Sequence, residues 1–150
     1  MRNFLCGLVI IVPSLLLGGL SGTYVIGDQG GTDYSTFTQA ASALQSQGVS
    51  GPVIFNVLSG TYTEYVSLNE ITGASATNTI TFQAGNGNAN SVIWENTSNN
   101  YSYNYVLELN GTDHVTLKHI TFKNLEYSYG RKLVLTGITD SISVDSCSFL

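Results

Sequence analysis

Charge is scarce in this sequence: of 150 residues, five are Lys or Arg and ten are Asp or Glu. So few cations cannot be gathered into the basic face that nucleic acid or an anionic lipid surface would require. Cysteine occurs twice, as Cys6 near the start and Cys147 near the end, so no disulfide framework is available to staple the fold. Proline also occurs only twice, and Trp and Met once each. What is plentiful is glycine, with sixteen residues, together with Thr, Ser and Asn. Such a composition suits an extracellular β protein and does not suit a helical enzyme.

The chain opens on Met1-Arg2-Asn3 and an apolar stretch from Phe4 to Leu17, interrupted by Pro13. That is the pattern of a secretory leader. Gly19 and Ser21 are small residues at the two positions a signal peptidase reads, which predicts a leader over residues 1–21 and a mature chain from Gly22. An uncleaved anchor is the alternative, since about 20 apolar residues cross a bilayer. Pro13 and the glycines shorten the usable run, and no basic stop-transfer cluster follows. Cleavage removes Cys6 and leaves Lys118, Lys123, Arg131 and Lys132 against ten carboxylates. The mature segment is therefore acidic, with no membrane partner expected once the leader is gone.

One helix is legible: Asp33 or Ser35 as N-cap, then 36–47 with Phe37, Ala40, Ala41 and Leu44 on one face, and Gly48 as the stop. Short strands and turns follow. Val53-Ile54-Phe55-Asn56-Val57 superimposes on segments starting at Ile80, Leu107 and Val134 with a constant offset of 27 residues. A second apolar column runs through Val66, Ile93, Ile120 and Cys147, and Asn56, Gln83 and Asn110 form an amide column. A constant offset held through four segments predicts an all-β fold, a right-handed parallel β-helix: a solenoid of about four 27-residue coils with an N-terminal capping α-helix. An antiparallel sandwich is the competing fold, but it does not require a fixed offset. The expected organisation is a cap over 22–52 and coils over 53–150, with no polar capping coil after Phe149.

The segment GTDYSTFTQAASAL from Gly31, followed by VIFNVLSGTYTEYVSL, resembles the opening of pectin-lyase-like β-helix proteins. In particular, the Gly-x-x-Tyr-x-x-hydrophobic helix and the Gly-x-Tyr-x-Glu-x-Val turn resemble the start of pectin methylesterases. NGTDHVTLKHITFKN and GITDSISVDSCSF resemble generic coils of secreted bacterial β-helix proteins. The resemblance implies the fold over nearly the whole mature chain. It implies less about activity, because the same opening precedes esterases, lyases, hydrolases and surface proteins without catalysis. The esterases place their Asp pair, Arg and Gln residues in later coils. No Gly-x-x-Asp-Phe-x-Phe-Gly segment occurs here, so no catalytic residue carries over.

Aromatic residues supply the main functional candidates. Tyr101, Tyr103 and Tyr105 alternate and would share one face if extended, and Tyr127 and Tyr129 follow about one coil later. With Trp94 they would form an exposed strip for stacking sugar rings, unless they serve as a loop platform packed along the outside. Trp94 has a second possible place. Glu95 falls in the column of Leu68, Phe122 and Phe149, and a slip of one residue would turn Trp94 inward and Glu95 out to water. Asp113 and Asp140 recur at the same offset and are calcium candidates if stacked. Two carboxylates fall short of calcium's coordination, and Thr-Asp also suits a turn. His114 and His119 lack a third ligand or a nucleophile, and Cys147 reads as a small core residue. Sequons occur at Asn96, Asn100 and Asn110. Together these features predict a secreted or cell-surface scaffold that binds polysaccharide or acts as an adhesin. The alternative is part of an extracellular carbohydrate-active enzyme, either esterase-like or lyase-like.

Overall fold

The computed structural model describes residues 18–126 and 130–150. In chain order the strands and helix are β1 (Leu20–Ile26), α1 (Phe37–Gln47), β2 (Val49–Val57), β3 (Gly60–Thr63), β4 (Val66–Asn69), β5 (Ile80–Ala84), β6 (Val92–Asn96), β7 (Tyr105–Asn110), β8 (Val115–Lys118), β9 (Thr121–Asn124), β10 (Arg131–Thr136), β11 (Ser143–Asp145) and β12 (Ser148–Phe149). They form three sheets, ordered β1-β2-β5-β8-β11, β3-β6-β9-β12 and β4-β7-β10. Every strand pairing is parallel. The chain is thus mostly β, with parallel sheets and one α-helix among the described residues.

Alternation along each strand sends every second side chain into the space between the sheets. In the first sheet, Tyr24, Phe55, Phe82, Leu117 and Val144 lie opposite one another in successive strands. In the second, Tyr62, Trp94, Phe122 and Phe149 do so, and in the third Leu68, Leu109 and Leu135. Aromatic neighbours stack along these rows, with ring centroids 4.7 Å apart for Phe55 and Phe82 and 5.3 Å for Phe122 and Phe149. Helix α1 presses Phe37, Ala40, Ala41 and Leu44 into the same core. Phe37 lies face to face on Trp94 at 3.7 Å.

The N-cap of α1 is Thr36, whose hydroxyl accepts the Gln39 N–H, while Gly48 ends the helix with φ of 67°. Asp33 is employed elsewhere: its carboxylate accepts the Val25 N–H at 2.7 Å.

The constant 27-residue register is corrected by the pairings. Val53 does lie opposite Ile80, and Thr116 opposite Ser143, each 27 residues on. Between them, however, Ile80 faces Val115, while Leu107 belongs to the third sheet and faces Val66 and Leu133. The column through 53, 80, 107 and 134 therefore joins two different sheets. The amide column divides likewise: Gln83 donates to Asn56 at 2.8 Å, whereas Asn110 donates to Asn69 at 3.1 Å. The physical reason is that strand pairing preserves inward and outward alternation while the turns between strands take any length. An apolar pattern of period 2 looks alike in every sheet.

Candidate functional site

The turn motif from Gly60 to Val66 builds scaffold. Tyr62 packs edge-on against Phe37 and donates its hydroxyl to the Leu58 carbonyl at 2.9 Å. The Glu64 carboxylate accepts the Phe37 and Thr38 N–H groups at 2.9 and 2.8 Å and also the Thr38 hydroxyl. It thereby satisfies donors that the first turn of a helix leaves unpaired. Val66 is buried in the core. Tyr62, Glu64 and Val66 thus each have a structural task.

Trp94 does not belong to an exposed strip. It is 1% exposed, wedged between Phe37 and Phe122, and its indole N–H donates to the Glu64 carbonyl at 3.1 Å. Glu95 points outward, 3.8 Å from the Lys123 ammonium, so the one-residue slip holds. Tyr105 is also buried, and burial raises its hydroxyl pKa above the usual tyrosine value, with Glu108 adding to the effect. Residues 101–103 form a 3-10 turn, so Tyr101, Tyr103 and Tyr105 do not alternate along one extended face. Tyr127 and Tyr129 lie outside the described residues.

What the fold does bring together is Tyr103 and Tyr65, a residue passed over in the sequence. Their rings stack at 5.2 Å, and Tyr65 meets Tyr105 edge-on at 5.8 Å. Tyr65 is 43% exposed, Tyr103 46% and Tyr101 74%. Tyr65 also forms one wall of an open cleft of about 570 Å³, lined with Thr38, Thr63, Glu64, Asn96, Thr97 and Ser98. Nothing in the sequence marks Tyr65; in the fold it lies between β3 and β4, at the corner of the second and third sheets that also holds the turn at 97–104.

The turn at 97–104 is held by two buried asparagines. Asn96 donates its amide to the Tyr103 and Tyr105 carbonyls at 2.6 and 2.7 Å, while its oxygen accepts the Ser98 N–H. Asn124, opposite Asn96 in the sheet, donates to the Asn104 and Arg131 carbonyls at 2.8 and 3.0 Å and accepts the Glu126 N–H.

The acidic candidates are used differently. Asp113 accepts the Asp140 backbone N–H at 2.7 Å, and Asp140 accepts the Ser141 hydroxyl. Among the described residues no group of three or more His, Cys, Asp or Glu converges on a common point. His114 and His119 occupy left-handed backbone positions with φ of 57° and 53°. Cys147 is half-buried against the core, which raises its thiol pKa.

Three parallel sheets, with successive strands of the chain contributed to each in turn, define a parallel β-helix. Among solved structures the chain is similar to a pectin methylesterase from Aspergillus niger. For the deglycosylated form the TM-score is 0.61 with 17% identity, over 85% of this chain and 42% of that one. For the same enzyme carrying an N-acetylglucosamine stub at its own residue 84 the TM-score is 0.62 with 18% identity, over the same shares. The chain thus spans less than half the length of these neighbours. At such identity the likeness is one of fold, the parallel β-helix. No protein-family model matches the chain, and no curated protein matches it. No helix among the described residues is long and apolar enough to cross a membrane.

Proposed function

We propose that this chain is part of a secreted or cell-surface protein, exported by its apolar leader. Its right-handed solenoid of about four coils binds polysaccharide on the face between the second and third sheets. The observation that carries the reading is the exposed Tyr65 and Tyr103 stack, whose Tyr65 ring forms a wall of a cleft lined with Thr and Ser hydroxyls. Tyrosine offers a flat apolar ring to a sugar and a polar edge to its hydroxyls at little entropic cost, and Thr38, Thr63, Thr97 and Ser98 add hydroxyl partners.

The test is affinity electrophoresis through gels containing methyl-esterified pectin, polygalacturonate or a neutral glucan. The protein should be retarded by at least one of them, and Tyr65→Ala and Tyr103→Ala should each weaken that binding about ten-fold, or roughly 1.4 kcal/mol. Free migration through every polysaccharide overturns the reading. A second reading, part of a carbohydrate-active enzyme, is favoured by the likeness to pectin methylesterase. Methanol release from methyl-esterified pectin, or formation of unsaturated products, would select it over the non-catalytic scaffold.

A further inference from the structure

The exposed tyrosines sit on a turn that is fastened from the coil after it, and Arg131 is the fastener. Asn104, at the end of that turn, is 1% exposed. Its side-chain oxygen accepts two bonds from Arg131, from Nε at 3.0 Å and from Nη2 at 2.7 Å. Its carbonyl accepts the Arg131 backbone N–H at 2.8 Å and the Asn124 amide at 2.8 Å. The same Nη2 reaches the Tyr101 carbonyl at 3.5 Å. The guanidinium carbon lies 5.9 Å from the centre of the Tyr105 ring, and that ring touches Tyr65 edge-on. One planar cation therefore meets both ends of the 101–104 turn and the ring beneath the stack. No carboxylate pairs with Arg131 among the described residues.

Such a contact matters for a surface turn because binding otherwise has to order it. Each residue ordered on binding loses conformational entropy, and a turn held in its bound shape beforehand avoids that loss. Arginine suits the task because its fork places two N–H groups on a single oxygen while a further hydrogen bond and ring contact are made in the same plane. The lysine point charge cannot reproduce this.

We infer that Arg131 is a positioning residue for the polysaccharide face: it latches the 101–104 turn to the following coil and so fixes the Tyr65 and Tyr103 stack. The inference rests on the binding reading above. Its test uses Arg131→Ala, Arg131→Lys and Asn104→Asp in the full chain. Binding is measured to a polysaccharide that retards the unmodified protein, at low and high salt, alongside tyrosine near-ultraviolet circular dichroism.

Arg131→Ala and Arg131→Lys should weaken binding about ten-fold. Both should lose part of the tyrosine dichroic signal and keep the salt dependence of binding, and binding is compared well below the urea transition because the unpaired Asn104 oxygen lowers the midpoint. Asn104→Asp retains an acceptor for the guanidinium and should bind like the unmodified protein. Unchanged affinity and dichroism in both Arg131 variants overturn the latch. So does a loss confined to acidic polysaccharide and abolished by salt, which would mean that the guanidinium touches the ligand directly. If the unmodified protein binds no polysaccharide, the binding reading fails; the latch is still judged, by hydrogen exchange at 101–104 in Arg131→Ala.

Discussion

Gly73 stands where the backbone leaves no space for a side chain: its φ is +88°, and a Cβ there would lie 2.1 Å from the Val49 carbonyl oxygen. Gly87 has a similar φ of +69° with nothing within 4 Å. Gly87→Ala should therefore cost about 1 kcal/mol, the left-handed penalty alone. Gly73→Ala should cost at least ~2 kcal/mol more, because the chain crossing at Val49 must also move. Equal urea midpoints for the two variants would remove that argument. Single residues were unevenly legible. The Glu95 position announced the inward turn of Trp94, because a carboxylate in an apolar row is costly and the slip of one residue relieves it. Tyr65 gave no such sign, since its stacking partner Tyr103 lies 38 positions away, across the third sheet. Asn96 stands out in the sequence only as a sequon, and the carbonyls it and Asn124 serve are what explain their burial.

Among the elements, α1 depends on a residue outside itself. The Glu64 carboxylate takes two of its first N–H groups, so helix, turn and second sheet are joined at one point. Glu64→Gln should cost about 1 kcal/mol and Glu64→Ala about 1.5 to 3 kcal/mol in urea unfolding. An unaltered midpoint in Glu64→Ala would show that water or another side chain serves those donors equally well. The helix itself was readable from its apolar face and from Gly48. Strand positions were readable from alternation, but their sheets were not. Leu107 and Val53 carry the same local pattern, and the turns that separate their sheets leave no fixed spacing to distinguish them. Parallel pairing at offsets that differ from coil to coil is settled by packing rather than by any short stretch of sequence.

For the molecule as a whole, the buried and partly buried tyrosines set an alkaline limit. Burial raises the hydroxyl pKa of Tyr34, Tyr62 and Tyr105 above the usual tyrosine value. A raised folded value means that the folded state resists losing these protons. Stability is thus fully present below the unfolded tyrosine pKa, near 10, and falls as pH rises from there through the folded values. Urea midpoints followed from neutral to strongly alkaline pH should decline over that window, with tyrosinate absorbance at 295 nm lagging behind that of the unfolded chain. Ionisation coincident with the unfolded chain would contradict it.

The rows of stacked apolar side chains also set an order of assembly. Phe55 supports Phe82, Trp94 supports Phe122, and Phe122 supports Phe149, so each layer is the mould on which the next is cast. A chain that folds from its N-terminal end would thus find the partner of each new strand already in place in the preceding layer. Leu135, Ile138, Val144, Phe149 and Leu150 are exposed on the strands and turns laid down last.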